Sequence, residues 1–417
     1  MAEFDVLIAG AGPAGASTAI SLADFAPELR VCISDVPATE SLRVGETVPP
    51  QIKPILEHLK VWPSFQADRH RASYRTISAW GGAELVSNEF LFQAHQVGWR
   101  LDRARFDAML RTAAAARATS IAARVDTVAR EGSEWRVHLG DGTRHTARFV
   151  VDASGRGGFI ARTHGVRADT RDRLVGSVML FADAPDDGAG LLIETFAGGW
   201  WYTAALPDNR RIAACMSDAD LVRPLGIGTL QGWLEQLGET RHVRHALGAA
   251  QPLGAPQLRA AGSRHIVGDT ALPLLCVGDA ASCFDPVSGQ GIFKALRGGV
   301  FASYAVADSL RGNQNAAMRF RRLHIEKADA AARDGAHREN RKEHTVRMVV
   351  RGVTGSTRDF EDAIQAGQRL TDIGSVPDVG RRFGHGDINH GRQLRKRKQR
   401  AMPAAPGHAR VCRPRPK

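Results

Sequence analysis

The first clear hydrophobic pattern along the chain is an unbroken apolar run after Asp5, Val6-Leu7-Ile8-Ala9, the length of a strand buried on both faces. Gly10-Ala11-Gly12-Pro13-Ala14-Gly15 follows without a gap, and helical spacing then predicts a helix from Ala14 to about Ala23. A second apolar run, Val31-Cys32-Ile33-Ser34, ends at Asp35. Strand, glycine turn, helix, strand and acid in this order predict a dinucleotide-binding unit. Gly10 permits the tight turn, Gly12 lets a pyrophosphate approach the backbone, and Gly15 lets helix and strand pack closely. Pro13 and Ala14 open a helix whose free amides face an anion, and Asp35 is spaced to bond a ribose hydroxyl.

The pattern then changes several times. A polar loop from Val36 to Arg43 leads into Val44-Gly45-Glu46-Thr47-Val48-Pro49-Pro50, and a helix is expected over Ile52 to Leu59. Val61 to Val97, with Tyr74, Trp80, Phe90 and Phe92, predicts strands outside the nucleotide unit. Asp102 is a suitable N-cap for a helix reaching about Thr119, with Phe106, Met109, Leu110 and Ala113 on one face. Arg103 and Arg105 in its first turn oppose the helix dipole, which suggests a compensating phosphate or flavin. Strands are expected over Ala122 to Val128 and Glu134 to Leu139, followed by a hairpin turn at Asp141-Gly142 and a strand from Thr143 to Arg148. Phe149-Val150-Val151-Asp152, with Gly155 beyond it, repeats the apolar strand stopped by an acid and glycines, and is expected to rejoin the first sheet.

From about Arg167 to Pro256, alternating runs predict an antiparallel sheet with one helix, Leu230 to Leu237. Leu274 to Val277 is a strand running into Gly278-Asp279. The loop Phe284-Asp285-Pro286-Val287-Ser288-Gly289-Gln290-Gly291 then opens a helix from Ile292 to about Leu310, whose N-terminal amides face an electron-rich group. Beyond Arg311 the chain is polar, with helix-like segments to about Arg347 and no internal repeat.

These elements predict an α/β protein of discontinuous architecture. A Rossmann-type nucleotide domain takes residues 1–60, 98–166 and 257–310, and an inserted antiparallel-sheet substrate domain takes 61–97 and 167–256. A partly helical segment covers 311–390, and a basic disordered tail covers 391–417.

Composition alters this picture in two places. The net charge of +12 suggests nucleic acid until it is located: Gly391 to Lys417 carries ten Lys or Arg and no acid, so the preceding residues are nearly neutral. Specific nucleic-acid binding is not expected. The five cysteines form no CxxC pair and are odd in number, which argues against a disulfide framework or a zinc site, and no metal is expected. No apolar run approaches a membrane span, and a strand begins almost at Met1, so a cytoplasmic location is expected.

Three stations, Gly10 to Gly15, Asp152 to Gly155, and Gly278-Asp279 with Pro286 and Gly289 to Gly291, resemble the FAD monooxygenases of the p-hydroxybenzoate hydroxylase type over roughly residues 1 to 310. The Val44 to Pro49 loop, the Trp99 to Asp107 segment and Asp285 to Ile292 resemble that group's halogenase-like branch. The same branch holds geranylgeranyl-reductase-like enzymes and the flavoproteins that mature quinone-cofactor amine oxidases.

The resemblance implies a glutathione-reductase-like, three-layer FAD-binding fold. It assigns Gly10, Gly12, Pro13, Ala14, Gly15 and Asp35 to the ADP half of FAD, and Arg103, Asp152, Gly155, Gly278 and Asp279 to the middle. Glu46, Gly289, Gln290 and Gly291 fall around the ring, and Arg43, Gly45, Val125, Pro286 and Ile292 are further cofactor contacts. It implies reduction by NAD(P)H, bound transiently, or by a partner flavin reductase. Reaction with O2 through a C4a-hydroperoxide would then oxygenate an aromatic or electron-rich small molecule or peptide.

Halogenase fits less well. Trp200-Trp201-Tyr202-Thr203-Ala204-Ala205-Leu206-Pro207 keeps only the end of the WxWxIP motif, and Arg75 stands in the segment where a halogenase lysine is sought. Reduction of isoprenoid double bonds, maturation of a protein substrate and a redox-silent flavin scaffold remain open. No side chain identifies itself as a catalytic base; His95, Trp201 and Tyr202 are candidates.

Overall fold

The computed structural model describes residues 2–36, 42–184, 190–267, 272–313 and 315–322. Seven elements build the nucleotide half: β1 (Phe4–Ala9), α1 (Pro13–Phe25), β2 (Val31–Ser34), α2 (Arg103–Ala115), β3 (Arg144–Asp152), β4 (Leu274–Cys276) and α3 (Gly291–Leu310). The strands Thr119–Ile121, β2, β1, β3 and β4 lie parallel, in that spatial order. β1 is buried along its whole length because both faces are covered. Val6 and Ile8 point to the helical layer with Ile20, Phe106 and Leu296, while Leu7 and Ala9 point to a core with Trp135, Val137 and Ile160.

β3 serves two neighbours on one edge. Its first half pairs antiparallel with Glu134–Leu139 (Trp135 opposite Ala147), and its second half pairs parallel with β4 (Asp152 opposite Cys276). The expected strands on either side of Arg148 are therefore one element. On the helical face α1 and α3 touch backbone to backbone: a Cβ on Gly299 would come 2.1 Å from Ser17 Oγ and 2.5 Å from the Ala14 carbonyl. A hydrogen bond of 2.7 Å from Ser303 to Ser21 closes the crossing.

The second sheet has eight strands. Its path runs Gln251–Pro252, Leu174–Ala182, Arg211–Asp218, Gly199–Ala205, Leu191–Phe196, Arg75–Ala79 and Val86–Glu89, and Gln257–Ala260 also pairs with Leu174–Ala182. One face carries Phe181, Trp201 and Cys215 and is covered by the helices Leu230–Gly238 and His242–Leu247. The other presents Ile193, Trp200, Tyr202 and Met216 to Leu42, Val44 and Val287.

Three elements depart from the sequence pattern. Trp62–Ala67 is a helix where strands were expected, because Phe65 is buried against Trp62, Trp99 and Phe106 at ring distances of 5.3, 5.5 and 6.1 Å. Its aromatics pack a core and do not mark a sheet. α2 stops at Ala115 and not near Thr119, since Thr119–Ile121 is drawn into the parallel sheet beside β2. The helix His242–Leu247 was not foreseen; the Glu194 carboxylate accepts the amides of Arg241, His242 and Val243 at 2.7 to 2.9 Å and so fixes its start.

Residues 315–322 are helical. The remaining expectations for 323–347 and for the basic tail 391–417 fall outside the described residues. Among the described residues no helix is long and apolar enough to cross a membrane.

Candidate functional site

The parallel strands end in register: Ala9 lies beside Ser34 and Asp152, and Asp152 beside Cys276. Backbone bonds lock this edge, from Gly10 N–H to the Ser34 carbonyl (2.7 Å), Ala153 to Ala9 (3.0 Å) and Val277 to Asp152 (3.0 Å). All three glycine stations therefore emerge at the carboxyl edge of one sheet, where open α/β folds bind ligands.

The glycines divide by role. Gly10 (φ +104°) and Gly278 (φ +60°) are left-handed, and a Cβ would meet the Ala153 carbonyl at 2.5 Å in the first case and Ala14 Cβ at 2.7 Å in the second. These contacts draw the first station against the second and the third. Gly15 lies so close to Gly10 that a Cβ would overlap its carbonyl. Gly12, Gly155, Gly289 and Gly291 are the opposite case, because a Cβ on any of them would meet nothing within 4 Å. They face open space.

At α1, Gly12 is the N-cap and supplies no side chain, Pro13 stands in the first turn, and no acid occupies that turn. The helix amides and dipole are available to an anion beside Gly12. Ala14 completes the first turn and is buried. Asp35 follows β2; burial pushes its carboxyl up, while the Ala11 amide and the charges of Arg111 and Arg43 pull the other way.

The middle stations are less uniform. Asp152 is fully buried, and its carboxylate accepts from Ser154 N (3.0 Å), Ser154 Oγ (2.5 Å) and Ala161 N (2.9 Å). It shapes the turn into Gly155 instead of presenting a charge to a ligand. Val125 is likewise a core residue, packed with Leu139. Asp279 remains partly open, with Lys294 Nζ at 3.5 Å.

α2 explains the loop before it. Asp102 caps the helix through Arg105 N (2.9 Å). The Asp107 carboxylate, 1% exposed, binds Arg43 at 2.6 Å and Arg103 at 3.2 Å, and Arg103 also donates to the Val44 and Gly45 carbonyls at 2.6 and 3.1 Å. Arg105 pairs with Asp208 at 2.5 Å. The first-turn arginines are thus met by carboxylates and carbonyls, and they do not themselves require the anion the sequence suggested. Asp107 was missed as a functional residue, although its i,i+4 spacing from Arg103 was a readable signal.

The clamped loop carries Glu46 onto the second sheet's other face, the one that Val44 and Val287 cover. Glu46 is 4% exposed; Oε2 accepts from Tyr202 Oη at 3.4 Å and Oε1 has no partner. Burial pushes Glu46 up to about 7 against the pull of Arg103, and burial together with Glu46 raises Tyr202. From the other side Pro286 opens a short 3-10 turn capped by Asp285, Gly289 is left-handed at φ +60°, and Gln290 caps α3 with its Oε1 buried and unpartnered. Ile292 anchors α3 in the core, and Val287 reaches the same face of the second sheet as Val44.

The other catalytic candidates separate. Trp201 points into the covered face, 4.7 Å from Trp233, and does not approach these loops. His95 is exposed on a separate loop, whereas Tyr202 is in the site. A concavity of about 590 Å³ is lined by Arg69, Arg71, Arg105, Asp68 and Asp208 among others, and Arg105 and Asp208 are paired with each other in its wall. Among the described residues no group of three His, Cys, Asp or Glu is placed to hold a metal.

An open glycine rim, an uncapped helix N-terminus and two unpartnered buried oxygens, Glu46 Oε1 and Gln290 Oε1, fit a dinucleotide with a polar ring. The lycopene cyclase protein family model matches residues 5–169. The putative FAD-dependent oxidoreductase LodB of Marinomonas mediterranea is 29% identical over 343 residues, covering 78% of this chain and 92% of its own. Among solved structures, the flavin-dependent brominase Bmp2 superposes with a TM-score of 0.71 at 18% identity, covering 88% of this chain and 99% of its own. The peptidyl tryptophan dihydroxylase QhpG gives 0.62 at 23% identity, covering 90% and 80%. Motif order, site geometry and relatives agree: the chain is similar to flavin-dependent oxidoreductases and has the fold shared by flavin-dependent halogenases and a flavoprotein hydroxylase.

Proposed function

We propose that the protein is an FAD-dependent monooxygenase that hydroxylates an aromatic or otherwise electron-rich substrate. The observation that carries this reading is the apolar sheet face of Trp200, Tyr202 and Ile193, closed by Val44 and Val287 and holding one polar pair, Glu46 and Tyr202. Bound FAD supplies oxygen activation once NAD(P)H or a separate reductase has reduced it. The chain's own residues bind and orient. Gly12 and the α1 amides take the pyrophosphate, Asp35 a ribose hydroxyl, and Asp279 the chain between ribose and ring. The Asp107 clamp holds the loop that covers the ring, and the apolar face excludes water.

Hydroxylation is favoured over halogenation because Arg75 is ion-paired to Glu89 at 3.5 Å and offers no amine. The test is anaerobic reduction of the FAD-loaded protein followed by rapid mixing with oxygen. A transient flavin absorbance distinct from the oxidised and reduced forms is expected. Featureless reoxidation, together with oxygen-independent reduction of an isoprenoid double bond, would replace this reading with the reductase one.

A specific surface favours a peptide as the substrate. Val86–Glu89 lies at the edge of the second sheet, and Tyr74, Leu91 and Phe92 beside it are 61, 64 and 90% exposed. An open edge strand with apolar neighbours is suited to adding an extended peptide. Replacing Leu91 and Phe92 with serine should raise KM for a tryptophan- or tyrosine-containing peptide by about tenfold or more and leave flavin content unchanged. An unchanged KM would remove the peptide reading.

A further inference from the structure

Glu46 is a buried acid with one carboxyl oxygen that no hydrogen bond of the chain engages. Its surroundings can be named element by element. From α2 it faces Arg103, whose guanidinium is engaged by Asp107 and by the Val44 and Gly45 carbonyls. The strand Gly98–Arg100 pairs with Thr47 and Val48, and its Arg100 is turned to the Gly190 and Ala72 carbonyls at 3.3 Å. From the second sheet Glu46 meets Tyr202, which is itself 7% exposed and lies on the face assigned to substrate. One carboxyl oxygen thus contacts the substrate face through a hydroxyl, and the other is buried without a partner. A carboxylate left this way carries a desolvation cost that a neutral acid avoids.

We propose that Glu46 is the proton-holding group of the flavin pocket, linked to the substrate face through Tyr202, and that it takes up a proton when reduction of the cofactor brings negative charge beside it. The inference rests on the FAD site proposed above. Burial already balances Glu46 between its two forms near neutrality. Added negative charge therefore favours the protonated form, and the proton stays within reach of Tyr202 Oη for later steps.

The test follows the proton directly. In the FAD-loaded protein the midpoint potential is measured against pH for the wild type, Glu46→Gln and Tyr202→Phe. The wild type should show a break near neutral pH, above which the potential falls more steeply by one additional proton per electron pair. Glu46→Gln should lose the break. Tyr202→Phe removes a hydrogen bond that stabilises ionised Glu46, so its break should move to higher pH with FAD still bound. Superimposable curves for wild type and Glu46→Gln would overturn the proposal.

An infrared titration separates this outcome from failure of the FAD assignment. The carboxylic-acid carbonyl band, obtained as wild type minus Glu46→Gln, should fade through neutrality in protein with or without flavin. A Glu46 ionised across the whole neutral range would overturn the proposal whether or not FAD is retained.

Discussion

Gly10 and Gly12 stand two residues apart, yet a methyl group would act on them in opposite ways. At Gly10 it would enter the Ala153 carbonyl from a left-handed backbone, so Gly10→Ala should lower the melting temperature sharply or abolish folding. At Gly12 it would enter open space, so Gly12→Ala should fold with near-normal stability but lose flavin, read by thermal melting beside flavin absorbance. Glu46 adds a pH effect. Its carboxyl moves from 4.5 to about 7 on burial, so the stability it contributes is present below about pH 4.5 and lost as pH rises through 7. Glu46→Gln should therefore gain relative to wild type across that window, by on the order of 3 kcal/mol at most in urea unfolding. The glycine stations were legible because the requirement is set by backbone geometry. Asp152 and Trp201 were not: whether an acid after a strand faces a ligand or a turn, and which of two adjacent tryptophans faces a loop, depends on partners distant in sequence.

Among elements, α2 does more than cover the sheet. Its Asp107 holds two arginines and through them the loop before Glu46, so Asp107→Leu should strand both charges. A loss of about 3 kcal/mol is expected, at the low end for buried pairs because Arg43 is 30% exposed, with weaker flavin binding in the same titration. The α1–α3 crossing tolerates no added volume, and Gly299→Ala should cost on the order of 1–3 kcal/mol without altering the chemistry of the site. The long periodic elements, α1 and α3, were readable from the sequence to within a few residues. Short ones such as Trp62–Ala67 were not, since one and a half turns of helix with aromatic residues give the same apolar run as a strand.

At the scale of the molecule, the candidate site lies between the carboxyl edge of the parallel sheet and the Tyr202 face of the second sheet, and the chain supplies it from widely separated segments. β3 joins them: one strand is completed first by a local hairpin and later by β4. This order has a consequence for synthesis. On the ribosome, β1, β2 and β3 emerge early, but β4 and the α3 helix that covers α1 appear only after every strand of the second sheet has been made. At about 5–20 residues per second that interval is on the order of ten seconds, during which one flank of β3 and the groove of α1 wait uncovered. Nascent chains arrested just after Ala260 should bind no flavin and should recruit chaperones, and extending them past Leu310 should restore binding.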